Sequence, residues 1–216
     1  MINALLLLER PAATLGFANP LQSTDQGIAT WFHERLTPVF SSVLHALTEF
    51  GSSKSIGIVL FALVLFFVWK RWWLSIVMLI IAVPGGMLLN EWLKLAVHRG
   101  RPFVEGAFVD WSGYSFASGH TIGATLLYGQ LLLFILPSLK ERHLRLLCIF
   151  SAASLVLLVG FTRIALGAHF LTDVLAAIFF GIIWLMLCTV LGKSVRRTTV
   201  APAVSVLAAH RAELQR

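Results

Sequence analysis

The residues best able to do chemistry fall in three short stretches: Lys94 and Arg101, then Ser118, Gly119 and His120, then Arg163, His169 and Asp173. Lys94 and Arg101 are two helical turns apart, so a helix would present both cations on one face, and Pro102 would end it. A guanidinium is a bidentate fork and an ammonium a point charge, and both suit a phosphoryl group. The small-residue turn around Ser118 and Gly119 directly precedes an apolar run. A turn of this kind at a helix start exposes backbone N–H groups and the positive end of the helix dipole, which makes an anion site. Ser118 adds a hydroxyl, Gly119 permits close approach, and His120 can give or take a proton near neutral pH. His169 and Asp173 are i and i+4, so on a helix the carboxylate would accept a proton from one ring nitrogen and leave the other as a nucleophile. Arg163 supplies a third cation. Each stretch alone is explained by a span-end cation, a helix cap or a surface couple. Three that converge on one anion chemistry at one side of a membrane point to a functional site.

These groups have to be positioned by membrane-spanning helices. Of the 216 residues 58% are apolar and 12% charged, and the mean hydropathy is +0.85. Soluble domains run about 45–50% apolar and about 25% charged, so a water-soluble globule is excluded. The reading is an all-α, polytopic transmembrane helix bundle with spans at 56–69, 72–89, 121–136, 144–161 and 174–191. The stretch 37–50 reads as a helix at the interface, with a shallow sixth span as the alternative. Residues 1–24 read as a short or incomplete first helix, 25–192 as the catalytic membrane domain, and 193–216 as a basic, mobile tail. Pro84-Gly85-Gly86 in mid-span would loosen that helix and require neighbours to satisfy the freed backbone.

The net charge of +7 does not point to nucleic acid here. Basic residues at 70–71, 140–145 and 193–197 alternate onto one side, which the positive-inside rule makes cytoplasmic. The connections 93–119 and 162–173, with nearly all the chemistry, then face the outside, and the C-terminus faces the cytoplasm. Trp69, Trp72, Trp73, Trp92 and Trp111 read as interfacial belts. Cys148 and Cys188 read as plain hydrophobes. Glu91 is expected to pair with Lys94, and His98 and Arg99 to touch headgroups. His33, His45, His143 and His210 show no partner pattern.

The three stretches, KLAVHRGRP (94–102), ASGH (117–120) and TRIALGAHFLTD (162–173), resemble the signature motifs of the type 2 phosphatidic acid phosphatase (PAP2) superfamily of membrane lipid phosphatases. Every spacing within the motifs agrees. Ala117 stands where the family has proline, and Thr162 where it has serine. The resemblance covers roughly residues 25–191 and implies a six-helix bundle with its active site at the outer face of a bacterial inner membrane. It further implies hydrolysis, without metal or other cofactor, of a lipid phosphomonoester or diphosphate. Undecaprenyl diphosphate, phosphatidylglycerol phosphate, phosphatidate and diacylglycerol pyrophosphate are the candidate substrates. By the same resemblance His169 is the nucleophile, Asp173 orients it, and His120 protonates the leaving oxygen. Lys94, Arg101, Ser118, Gly119 and Arg163 hold the phosphoryl oxygens. No obligatory protein partner and no nucleic acid are implied. A non-hydrolytic lipid-phosphate transporter or binding protein is the alternative, with a vanadium haloperoxidase behind it.

Overall fold

The computed structural model describes residues 21–103 and 113–213, with side chains described to residue 194. The short first helix expected within residues 1–20, and Trp111, lie outside the described residues. Seven α-helices follow in order among the described residues: α1 Gln22–His33, α2 Pro38–Thr48, α3 Ser53–Trp69, α4 Trp73–Val97, α5 Gly119–Ile135, α6 Arg142–Ala165 and α7 Leu171–Glu213. Local chemistry sets several starts. Thr37 Oγ1 accepts from the Phe40 N–H with Pro38 in the first helical turn, and Ser52 Oγ accepts from the Ser55 N–H.

Five stretches are long and apolar enough to cross a bilayer: Pro38–Trp69, Trp73–Val97, Gly119–Ser138, Arg142–Ala165 and Leu171–Ser194. The five expected spans are therefore present, with the first extended upstream to include α2. That helix packs one face against the bundle. Ser41, Leu44 and Thr48 are buried, and Leu44 packs with Ala165 and Leu166 at the end of α6. At about 1.5 Å per residue its 11 residues are too short to cross alone; a 3-10 turn, Glu49–Gly51, then leads into α3. The backbone of α7 stays helical to Glu213, through the residues read from the sequence as a basic tail.

The core lies where α5 is wrapped by α3, α4, α6 and α7. Leu79 and Val83 of α4, Ile122, Leu126 and Leu127 of α5, and Ala177 and Leu185 of α7 are buried together. Lipid is as apolar as leucine, so close backbone approach rather than hydrophobic exclusion holds such helices together. Gly86 shows this: a Cβ there would stand 2.6 Å from Leu126 Cδ1 and 2.9 Å from Trp184 Cδ1. A neighbour braces the turn before Pro84. α4 continues through Pro84, and the Trp184 indole N–H of α7 donates to the carbonyls of Ile81 at 3.2 Å and Ala82 at 3.0 Å. Trp69, Trp72 and Trp73 are exposed at one end of the bundle and Trp92 towards the other, as belt residues would be.

Gly51 couples the 3-10 turn to the start of α5. A Cβ on it would lie 2.5 Å from Val159 Cγ1 and 2.8 Å from the His120 carbonyl oxygen. Gly51→Ala should lower the stability by about 1–3 kcal/mol, the scale of overpacking in a rigid site. A thermal melt in detergent that matched wild type would show that the turn yields freely.

Candidate active site

Four helix ends meet at the end of the bundle away from Trp72 and Trp73: the C-termini of α4 and α6 and the N-termini of α5 and α7. Between them lies a cavity of about 360 Å³, lined among others by Lys94, Arg101, Gly119, His120, Arg163 and His169. Six of the eight residues singled out from the sequence thus share one polar cavity. The other two, Ser118 and Asp173, lie behind its wall with no exposed surface.

Each cation is held in place. Lys94 Nζ is 2.7 Å from Glu91, the expected pair. Arg101 donates to the carbonyls of Gly113 and Ala168, both at 2.9 Å. Burial pulls the Arg101 guanidinium below its ordinary value and Asp173 opposes this, yet an arginine stays charged. Arg163 is 6% exposed and donates to Thr48 Oγ1 at 3.4 Å. Ser118 begins α5, where its backbone N–H donates to the Asp173 carbonyl at 3.3 Å, and its hydroxyl takes a hydrogen bond from Thr121 at 3.0 Å.

His169 lies in the turn before α7, not on one helix with Asp173. Its Nδ1 is 2.7 Å from the Ser115 carbonyl oxygen but 3.9 Å from Asp173 Oδ2. A carbonyl only accepts, so Nδ1 carries the proton and Nε2 keeps its lone pair. Orientation by a direct His169–Asp173 hydrogen bond, expected from the i, i+4 spacing, is therefore replaced by one through Ser115, whose hydroxyl donates to Asp173. Burial pushes the His169 imidazole well below its ordinary value, and the charges of Arg163, Arg101 and Lys94 push the same way. The ring is thereby kept neutral.

Asp173 is anchored on every side. The Phe170 N–H donates to its Oδ2 at 2.9 Å, the reciprocal half of a capping box at the start of α7. Its Oδ1 receives Arg99 Nη1. Arg99 also donates to Asp25 at 2.7 Å and to Thr172, and its guanidinium lies 4.2 Å over the Phe170 ring. The headgroup role expected of Arg99 is corrected on this point: it faces inward because two buried carboxylates need a shared cation. Asp25, 2% exposed, accepts from the Thr172 N–H at 3.1 Å and from its hydroxyl, so it caps the N-terminus of α7 as well. Burial raises the Asp25 carboxyl, but hydrogen bonds from Thr172 and Arg99 outweigh it and hold the group below its ordinary value.

Asp25, Asn90, Arg99 and Ser115 were not foreseen as part of this site. Asn90 was legible in principle, since it stands one helical turn before Lys94. It is 1% exposed, lines the cavity, and its Oδ1 meets no hydrogen-bond partner among the described residues. His45, also unassigned from sequence, lines the cavity with Glu49 and Ser53. Asp25 and Ser115 carry no spacing signal, because they reach Asp173 only through tertiary folding. Among the described residues, no three His, Cys, Asp or Glu side chains cluster as metal ligands.

The sequence model of the PAP2 superfamily matches residues 73–197, more than half of the chain. The chain belongs to the PAP2 superfamily. It is 30% identical over 183 residues to phosphatidylglycerophosphatase B of Bacillus subtilis strain 168, across 83% of this chain and 88% of that one. Among solved structures it resembles the transmembrane PAP2-type phosphatidylglycerolphosphate phosphatase from Bacillus subtilis, with a TM-score of 0.73 and 26% identity over 82% of this chain and 89% of that one. Aquifex aeolicus LpxE shares the fold, with a TM-score of 0.56 and 22% identity over 77% of this chain and 94% of that one. The protein is an integral membrane lipid phosphatase of this superfamily. Asp25 lies upstream of the residues that the PAP2 model matches.

Two outcomes follow from this geometry. Arg99→Ala would leave Asp25 and Asp173 buried without their cation, at a cost of about 3–5 kcal/mol; Arg99→Lys should recover part of the lost melting temperature, and an unchanged melt for Arg99→Ala would refute the pairing. The second concerns acid. The unfolded chain binds a proton at His169 near pH 6.5 and the folded chain does not, so stability falls as pH drops below about 6.5. In His169→Gln that loss should be shallower below about pH 6.5, as read by melts across pH.

Proposed function

We propose that the protein hydrolyses a lipid phosphomonoester or diphosphate through a phosphohistidine on His169. The observation that carries this reading is the Nδ1–H of His169 donated to the Ser115 carbonyl, in a ring kept neutral beside three cations. The lone pair on Nε2 attacks phosphorus while the bond to the leaving oxygen breaks. His120, across the same cavity, gives that oxygen its proton. Lys94, Arg101, Arg163 and the backbone around Ser118 and Gly119 take up the charge on the equatorial oxygens. Water then attacks the phosphohistidine, its proton passes to His120, and inorganic phosphate leaves with His169 neutral again. Asp173 holds Ser115 and stabilises the positive charge that the imidazole carries in between.

Phosphatidylglycerol phosphate is the first substrate to test, since the Bacillus subtilis relative is named for it; phosphatidate, diacylglycerol pyrophosphate and undecaprenyl diphosphate follow. The reaction as proposed uses no cofactor. The charge pattern supports the orientation proposed for the chain: bacterial inner membrane, cavity on the extracytoplasmic side, and Arg71, Lys140, Arg142 and Lys193 towards the cytoplasm.

Purified protein should release phosphate from these lipids in EDTA, and vanadate should inhibit it. His169→Ala should lose at least ~10³-fold in turnover, the scale of removing a nucleophile, and His120→Ala about 10²–10⁴-fold. Turnover retained in His169→Ala would sink the mechanism; lipid movement between leaflets without phosphate release would favour a transporter instead.

A further inference from the structure

A second cavity, of about 640 Å³, opens at the opposite end of the bundle. It lies between the α3–α4 turn, the C-terminal part of α5 and the distal part of the last span, and none of its lining residues is part of the catalytic cavity. Phe67, Phe134, Leu133 and Met78 make its walls apolar, while Arg71 and Lys193 stand in the lining and no Asp or Glu does. Among the described residues neither cation has an ion pair. Gln130 also lines the cavity. It is only 5% exposed, and its amide makes no hydrogen bond to another described residue. An amide in the hydrocarbon depth of a bundle without a partner costs free energy unless something polar meets it.

Arg71 supplies an independent observation. The end of α3 is a Schellman motif: the Trp72 N–H donates to Phe67 at 2.9 Å and the Arg71 N–H to Val68 at 3.0 Å. This closure places Arg71 in the left-handed region, at φ 58°. Glycine is the unstrained residue there, and a side-chain-bearing residue costs about 1 kcal/mol or more. Strain of this kind persists where the side chain has a use.

We propose that this cavity binds an anionic glycerophospholipid from the leaflet opposite the active site. Its phosphate meets Arg71 and Lys193, its glycerol lies among Phe67, Leu133 and Phe134 with an ester carbonyl on the Gln130 amide, and an acyl chain leaves past Met78 toward the bilayer centre. Basic pockets between spanning helices are suited to anionic headgroups, and a zwitterionic lipid leaves the two cations without net compensation. The bound lipid ties together the ends of α4, α5 and α7, the helices that carry Lys94, His120 and Asp173 at the other end.

The test uses the full chain in detergent micelles doped with phosphatidylserine, a phosphodiester that a phosphomonoesterase does not consume, or with phosphatidylcholine. Phosphatidylserine should raise the melting temperature by about 3 °C or more and phosphatidylcholine should not. The rise should vanish in Arg71→Gln/Lys193→Gln, shrink in Gln130→Leu, and persist in Lys94→Gln, whose change lies in the catalytic cavity. Arg71→Gly gives the sharpest reading: it should melt higher than wild type in undoped micelles, because the left-handed strain is gone, and yet lose the phosphatidylserine response. An equal rise with phosphatidylcholine, a rise retained in Arg71→Gln/Lys193→Gln, or one lost in Lys94→Gln would each overturn the proposal.

Discussion

The site is organised around a carboxylate that has to be buried. Asp173 has no exposed surface at the edge of a membrane, where an uncompensated charge would cost several kcal/mol. Its compensation is drawn from three parts of the chain: Arg99 after α4, Ser115 before α5 and the Phe170 N–H at the start of α7; Asp25 of α1 shares the Arg99 cation and holds Thr172. Each partner brings a neighbour into place. Arg99 precedes Arg101, Ser115 precedes Ser118 and holds His169, and Thr172 begins the last span.

The helix ends complete the arrangement. α5 and α7 bring N-termini to the site, whose dipoles favour anions, while α4 and α6 bring C-termini, which favour cations and carry Lys94 and Arg163 in their last turns. The same antiparallel packing that satisfies the spans in lipid therefore sorts charges into a cavity that attracts phosphate. The PAP2 match over residues 73–197 covers these four helix ends. Asp25, outside it, shows how α1 is tied to the start of α7.

Small residues let this happen within a narrow bundle. Gly86 admits Leu126 and Trp184, Gly51 admits the backbone of His120, and a Cβ on Gly160 would lie 2.7 Å from Val174. With the core helices this close, the catalytic end and the opposite, Trp-rich end are parts of one packed body, joined by α4, α5 and α7.

Composition and period alone determined that this chain is an all-α membrane bundle with five spans, because hydrocarbon permits so few backbone solutions that runs of apolar residues are nearly decisive. Motif spacing gathered Lys94, Arg101, His120, Arg163 and His169 into one site, since these residues sit at helix ends whose side the alternation of spans dictates. The partners that neutralise and orient were decided only by tertiary structure. Arg99 looked like a span-end cation, Ser115 like a loop residue, and Asp25 like one acid among ten, because a hydrogen bond between residues 74 or 147 positions apart leaves no periodic trace. The i, i+4 spacing of His169 and Asp173 suggested a direct contact only on the assumption of one continuous helix. The turn before α7 broke that assumption and put a carbonyl where the carboxylate had been expected.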